Sequence, residues 1–209
     1  KIQETARRIM EIFDIPAFVL GDSTWWTCDL NSNGAKVLGA EILFNVGHTN
    51  KLDTFENDVI MIDAFDNISF DKVLPKCIEK FNGKTISLIT DSQHLHEVEH
   101  VKKFLEENNV SVKIGKVKGQ LNDGQVFGCE FYPAVETKDN VDGKLFLGQS
   151  NFHAAGIALS TKKPTFVLDP YFNEIRDVTE FANKLEKKAT LTVFKAADAQ
   201  VFGIIIGLK

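Results

Sequence analysis

The chain has 209 residues, which is enough for one large or two small domains. Hydrophobic residues make up 44% and charged residues 25%, as in an ordinary globular protein. No apolar run approaches the roughly 18 residues of a membrane span, and the net charge of −5 argues against a general nucleic-acid binder, which usually has a basic surplus. The first residues are charged and helix-like, so we expect no signal peptide.

Apolar periodicity in the first half predicts helices alternating with short strands. The chain opens in a predicted helix over residues 2–13, which leads to a predicted strand over residues 17–20. A loop with Cys28 follows, then an apolar strand that ends at Gly47 and another over residues 59–62. A helix over residues 71–81 closes this half.

The second half follows the same order. Its predicted elements are a strand over residues 85–90, a helix over 95–108, a strand over 110–114, a loop with Cys129, and strands that end at Gly148 and Asp169. The two halves also share a short motif. Gly47-His-Thr-Asn50 and Gly148-Gln-Ser-Asn151 both follow an apolar strand, and Cys28 and Cys129 are separated by the same number of residues as the two motifs. The sequence therefore indicates an internal repeat.

The repeat predicts an α/β fold class: tandem repeated domains with parallel four-stranded sheets flanked by helices. We expect a first domain over residues 1–84 that lacks its first strand, and a second over residues 85–198. Residues 199–209 are predicted to be the first strand of a third domain that is cut off. In such folds ligands bind beyond the carboxyl ends of the strands, where the loops of Cys28 and Cys129 fall.

The three cysteines have different expected roles. Their odd number and wide spacing do not suggest a disulfide framework, so a reducing, cytoplasmic environment is expected. Cys77 lies on the apolar face of the predicted helix over residues 71–81, and we predict that it packs in the core. Cys28 and Cys129 occupy equivalent loops of the repeat, which favours a shared functional role over packing.

Several motifs resemble those of one family. They are Asp22-Ser-Thr-Trp-Trp-Thr-Cys28, Asp91-Ser-Gln-His94, Gly124-Gln125-Val-Phe-Gly-Cys129, Gly148-Gln-Ser-Asn-Phe-His153 and Asp169-Pro-Tyr171. Together they look like the signatures of the archaeal and eukaryotic subunits that start diphthamide synthesis. The resemblance covers nearly the whole chain.

The resemblance implies a transferase, 2-(3-amino-3-carboxypropyl)histidine synthase. That family has three related α/β domains, each giving one cysteine to a single 4Fe–4S cluster that binds S-adenosylmethionine. An electron from the cluster releases a 3-amino-3-carboxypropyl radical, which adds to a histidine ring of translation elongation factor 2. The implied partners are this protein substrate, an electron-donor protein, and a second copy or a related subunit in a dimer. Neither nucleic acid nor a membrane is implied.

The resemblance also assigns site residues. Cys28 and Cys129 are expected to bind the cluster, with the third cysteine outside this chain. The residues expected to bind the cofactor lie on the same predicted sheet edge: His48, Gln125, Gly148, Asn151 and His153. No catalytic residue is singled out.

Three alternatives stay open at this stage. The Cys28 loop has Trp25-Trp26-Thr27 where the family favours Tyr-Gly-Ala, which fits a non-catalytic partner subunit of a heterodimeric enzyme. Another three-domain cluster enzyme, such as quinolinate synthase, would share the repeat but fits the Phe152-His153 motif less well. A duplicated small-molecule binding domain is the third, and the matched cysteines argue against it.

Overall fold

A computed structural model describes residues 2–21, 30–47, 59–119 and 121–206 of the chain. These residues form helices, two mostly parallel sheets, and two short 3-10 turns at Ser92–Glu97 and Lys138–Asn140. In chain order the elements are α1 (Ile2–Phe13), α2 (Ser32–Val37), β1 (Leu43–Val46), β2 (Val59–Ile62), α3 (Pro75–Phe81), β3 (Thr85–Thr90), α4 (Val98–Glu107), β4 (Ser111–Lys113), α5 (Tyr132–Glu136), β5 (Gly143–Leu147), α6 (Asn151–Thr161), β6 (Thr165–Asp169), β7 (Glu174–Asp177) and α7 (Thr179–Ala196).

The larger sheet has the strand order β4-β3-β5-β6-β7. Its first four strands are parallel, which confirms the predicted α/β class with a parallel four-stranded sheet. The fifth strand, β7, is antiparallel to β6 and was not predicted. Its sequence Glu-Ile-Arg-Asp is short and mostly charged, as edge strands often are, so it shows no apolar run.

Helices cover both faces of this sheet. On one face, Cys77 of α3 and Leu105 of α4 pack against Leu88 and Leu145 of the strands. On the other face, Ile157 of α6 is buried in a second cluster. Cys77 is completely buried, as predicted, and burial raises the pKa of its thiol to about 12. A thiol in this position stays protonated and inert.

The smaller sheet pairs β1 with β2 in parallel, with Leu43 beside Val59. The strand expected over residues 17–20 is not formed, and that prediction was wrong: these residues have no regular structure, and Phe18 is 62% exposed. Apolar residues alone do not make a strand, because its backbone groups need a hydrogen-bonded neighbour. Residues 203–206 are likewise not in a strand, unlike the expectation for the end of the chain.

Two of the predicted helices have different bounds in the structure. The helix expected over residues 95–108 is a 3-10 turn at Ser92–Glu97 followed by α4. The helix expected from residue 71 begins as α3 at Pro75, where proline at the first helical position needs no hydrogen-bonded N–H. In the part of the chain that the structure describes, no helix is both long and apolar enough to cross a membrane.

Candidate functional site

The carboxyl ends of β3, β5 and β6 meet at one edge of the larger sheet. Thr90 pairs with Leu147, and Leu147 pairs with Leu168, so the three parallel strands end at nearly the same level. The loops that follow them therefore lie side by side. This is the edge at which open parallel sheets bind ligands, and it carries most of the predicted site residues.

The segment before Cys129 is tied to the end of β3. The Thr90 N–H donates to the Gly124 carbonyl (2.9 Å), and the Val126 N–H donates to the Thr90 carbonyl (2.9 Å). Gly124 has φ +72°, and a Cβ there would lie 3.0 Å from Cγ2 of Ile114. Glycine is needed at this position both for its backbone angle and for space.

Gln125 is completely buried in this segment. Its Oε1 accepts hydrogen bonds from the N–H of Asn122 (2.9 Å) and from Nδ2 of the same residue (2.8 Å). The amide oxygen of Gln125 therefore stabilises the turn that leads towards Cys129.

Cys129 lies in a tight turn at this edge. The Phe127 N–H donates to the Glu130 carbonyl (2.9 Å), which closes the turn around the cysteine. The Glu130 side chain accepts from the Tyr132 N–H (2.7 Å) at the start of α5. Unlike the thiol of Cys77, the thiol of Cys129 is exposed and free. An accessible thiol is the form that can bind metal or react.

Gly148 allows a close approach between the loop after β5 and a buried histidine. It has φ +136°, and a Cβ there would lie 3.1 Å from Cε1 of Phe146 and 3.4 Å from Cδ2 of His94. Its N–H donates to the Leu168 carbonyl (3.1 Å), which fixes the loop to β6. A side chain at this position would push the loop away from the sheet edge.

The amino end of α6 opens onto the same edge. Ser150 caps the helix, since its Oγ accepts from the His153 N–H (3.4 Å). The His153 ring is half-buried and stacks on Phe146, with ring centroids 5.7 Å apart and an angle of 13° between the planes. Asn151, the first residue of α6, is exposed. The helix terminus favours negative charge in front of it.

Arg176 organises this loop, and no motif in the sequence pointed to this arginine. Its Nε donates to Oδ1 of Asn151 (2.9 Å), and its Nη2 donates to the Gln149 carbonyl (3.0 Å). Its Nη1 forms an ion pair with Asp169 (3.4 Å) and another with Glu174. These contacts depend on the antiparallel pairing of β6 and β7, which no pattern in the sequence predicted.

Asp169 is completely buried at the end of β6. Its Oδ1 accepts from the N–H groups of Tyr171 (2.9 Å) and Phe172 (3.0 Å), so it stabilises the turn after the strand. The Tyr171 hydroxyl donates to Asp66, and burial together with this carboxylate raises the pKa of Tyr171. The Asp66 N–H also donates to the Gln93 carbonyl (3.0 Å), which links the segment after β2 to the site.

His94 is a buried polar residue behind Gly148. It is 2% exposed and packs edge-on against Phe70, with ring centroids 5.4 Å apart. Burial lowers its pKa, although the carboxylates of Asp91 and Asp66 partly oppose this. Its Nδ1 has no hydrogen-bond partner among the residues that the structure describes. Burial therefore favours the neutral form of the ring.

The remaining predicted site residues, Cys28 and His48, lie outside the described residues. Within the described ranges, no group of three or more His, Cys, Asp or Glu side chains is arranged to hold a metal ion. A cluster that takes one cysteine from each of several domains does not need such a local group. Of the two cysteines in the described ranges, Cys129 is exposed and Cys77 is buried.

The family model described as putative diphthamide synthesis protein matches residues 1–209. The chain therefore belongs to this family. It is 30% identical over 203 residues to the 2-(3-amino-3-carboxypropyl)histidine synthase of Pyrococcus horikoshii, covering 96% of this chain and 58% of that relative. It is 27% identical over 215 residues to 2-(3-amino-3-carboxypropyl)histidine synthase subunit 1 of Dictyostelium discoideum, covering 95% of this chain and 44% of the relative.

A solved structure shares the fold. The crystal structure of Dph2 from Pyrococcus horikoshii with a 4Fe-4S cluster matches with a TM-score of 0.86 and 30% identity, over 99% of this chain and 60% of that chain. This chain thus spans less than two thirds of the length of the relatives it matches.

Proposed function

We propose that this chain is part of a 2-(3-amino-3-carboxypropyl)histidine synthase, the transferase that starts diphthamide synthesis. It would transfer the 3-amino-3-carboxypropyl group of S-adenosylmethionine to a histidine of translation elongation factor 2. The observation that carries the proposal is the exposed Cys129 at the carboxyl edge of a fold that matches, at a TM-score of 0.86, a relative crystallised with a 4Fe-4S cluster.

The chemistry of the donors fits such a cluster. Iron–sulfur clusters are held by cysteine thiolates, and Cys129 is an accessible thiol on a turn held by backbone hydrogen bonds. We propose Cys28 as the second ligand and a cysteine outside this chain as the third. When bound, the cluster supplies the electron that breaks a carbon–sulfur bond of S-adenosylmethionine.

The residues that share the carboxyl edge of the sheet with Cys129 would bind and orient the cofactor. Gly148 lacks a side chain, so a ligand can come close to the backbone. The amino end of α6, with Asn151 and His153, would attract the carboxylate of the aminocarboxypropyl group. His48 is proposed as a further residue that binds the cofactor. Gln125 would act indirectly, because its side chain holds the turn that leads to Cys129.

Partners follow from the same proposal. Besides translation elongation factor 2, we propose an electron-donor protein and a dimer with a second copy or a related subunit. The name "subunit 1" of the Dictyostelium relative is in line with such an assembly. The wide spacing of the three cysteines supports a reducing, cytoplasmic compartment.

A non-catalytic partner subunit is the second candidate. Trp25 and Trp26 favour it, because two bulky indoles stand in the Cys28 loop where the resembling family has smaller residues. Such a subunit would hold no cluster of its own and would support an active partner chain.

The test is to purify the full-length protein without oxygen and to measure iron, sulfide and the visible absorption spectrum. We expect roughly four iron atoms per cluster in the wild type and a large loss in both Cys28→Ala and Cys129→Ala. The buried Cys77→Ala variant is the matched control and should keep its iron. S-adenosylmethionine cleavage by the loaded protein would then be assayed. If the wild-type protein held no iron, this result would contradict the proposed enzyme activity and favour the role of a non-catalytic partner subunit.

A further inference from the structure

The helix that follows the Cys129 turn is too short to be stable by itself. α5 spans Tyr132–Glu136, which is five residues, and an isolated helix of that length does not persist in water. Because α5 begins directly after the turn, whatever holds α5 in place also holds Cys129.

Two contacts hold the beginning of α5. The ring of Phe131 lies over Gly156 of α6, where a Cβ would come within 2.1 Å of the ring. The carbonyl of Pro133 lies against Gly115, where a Cβ would come within 1.8 Å of the oxygen. Both contacts are made possible by glycine, and both act on the amino half of the helix.

Lys144 holds the other end. It lies on β5 and is completely buried. Its Nζ donates to the Ala134 carbonyl (2.7 Å) and to Oγ1 of Thr137 (2.7 Å), and the Thr137 hydroxyl donates to Oγ of Ser87 on β3 (2.8 Å). The lysine thereby bonds to a carbonyl in the last turn of α5, which also accepts from the Thr137 hydroxyl (3.3 Å), and joins this turn to two strands of the sheet.

A lysine is an unusual choice for this position. Among the described residues no carboxylate lies within ion-pair distance of its Nζ, and its acceptors are neutral oxygens. Burial and the nearby Lys163 lower its pKa to about 8. Burying a charge with only neutral partners costs free energy. An apolar side chain would fill the same space at a lower cost in free energy, but it could not donate a hydrogen bond to the Ala134 carbonyl.

We propose that Lys144 is a positioning residue for Cys129, which it holds at the sheet edge through the end of α5. This inference rests on the proposed role of Cys129 as a cluster ligand. The lysine touches neither cofactor nor substrate in this scheme. It would fix the direction from which the thiolate reaches the iron.

The first measurement is hydrogen exchange of the full-length protein without cluster. In Lys144→Met, the amides of residues 127–137 should exchange about tenfold faster, because one buried hydrogen-bonded anchor is lost. Amides of β6 should exchange as in the wild type. Lys138→Met is the matched control, since Lys138 is exposed and lies just after α5. Unchanged exchange over residues 127–137 in Lys144→Met would overturn the proposal.

The second measurement is the electron paramagnetic resonance spectrum of the reduced, cluster-loaded protein. Lys144→Met should shift or broaden the cluster signal, whereas Lys138→Met should leave it unchanged. If Lys144→Met does not fold, Thr137→Val decides, because it removes the hydroxyl that links Lys144 to Ser87 and keeps the shape. An identical spectrum in these variants would overturn the proposal. A wild type that binds no cluster would instead refute the proposed function, and hydrogen exchange would still show whether Lys144 holds the turn.

Discussion

The two sheets of this chain have strands of similar apolar sequence but are buried to very different degrees. In the larger sheet, every residue of β5 and β6 is buried. In the smaller sheet, Asn45 is the buried residue of β1, and β2 alternates between half-buried and exposed residues. An apolar pattern therefore predicts where a strand can form. The elements packed on its faces decide how much stability it contributes.

The largest effect should come from truncating matched aromatic side chains in the two sheets. Phe146 on β5 is completely buried and stacks on His153, whereas Phe44 on β1 is 45% exposed. We expect Phe146→Ala to lower the free energy of unfolding by about 3–5 kcal/mol, through lost burial and a cavity. Phe44→Ala should cost less than about 1 kcal/mol.

Urea denaturation followed by circular dichroism measures both changes. Equal losses in the free energy of unfolding for the two variants would contradict the difference in burial between the sheets. A large loss in Phe44→Ala would mean that the small sheet is covered in solution by some further part of the protein or by a partner.

A smaller effect is expected from the acidic residues that follow equivalent strands. Asp169 ends β6 and is buried, with hydrogen bonds from Tyr171 and Phe172 and an ion pair with Arg176. Asp63 follows β2 and is exposed. Asp169→Ala should cost about 2–3 kcal/mol, because buried donors lose their acceptor.

The matched variant Asp63→Ala should change stability by no more than about 0.5 kcal/mol. Both values can be taken from the same urea titrations as for the phenylalanines. Equal losses in the two variants would show that the two strand-end carboxylates contribute equally to stability, despite the difference in their exposure.

Much of the larger sheet could be predicted from the sequence. The strand over residues 85–90 and the burial of Cys77 follow from local apolar patterns, which a well-covered sheet preserves. The position of Gly148 at the carboxyl edge follows from the order of strands and helices in a parallel sheet.

The rest depended on contacts between distant segments. The strand expected over residues 17–20 had the right composition, but no strand pairs with it among the residues that the structure describes. Arg176 reaches Asn151 only because β7 turns back along β6, and Tyr171 reaches Asp66 from more than a hundred residues away in sequence. Lys144 reads as an ordinary charged residue until the buried carbonyl of Ala134 is seen beside it. No local period or motif encodes such contacts.

The smallest effect on stability is expected from His94, which lies between the segment after the small sheet and the loop after β5 of the large sheet. His94 packs against Phe70 and lies near Asp66, both after the small sheet. It also lies beside Gly148, which follows β5 of the large sheet, because a Cβ on that glycine would come within 3.4 Å of the histidine ring. Burial lowers its pKa below the ordinary 6.5, so the unfolded chain takes up a proton first as the pH falls. Stability from this residue is therefore full above about pH 6.5 and is lost as the pH falls through the folded pKa.

We expect this loss to disappear in His94→Gln, measured as the free energy of unfolding at pH 7.5 and pH 5. His100→Gln is the matched control, because His100 is exposed and bonds to Asp71 (2.7 Å). If His94→Gln kept the wild-type pH dependence, the histidine would be open to solvent in solution. The buried region of the large sheet would then end at Gly148. It would not extend to the segment that follows the small sheet.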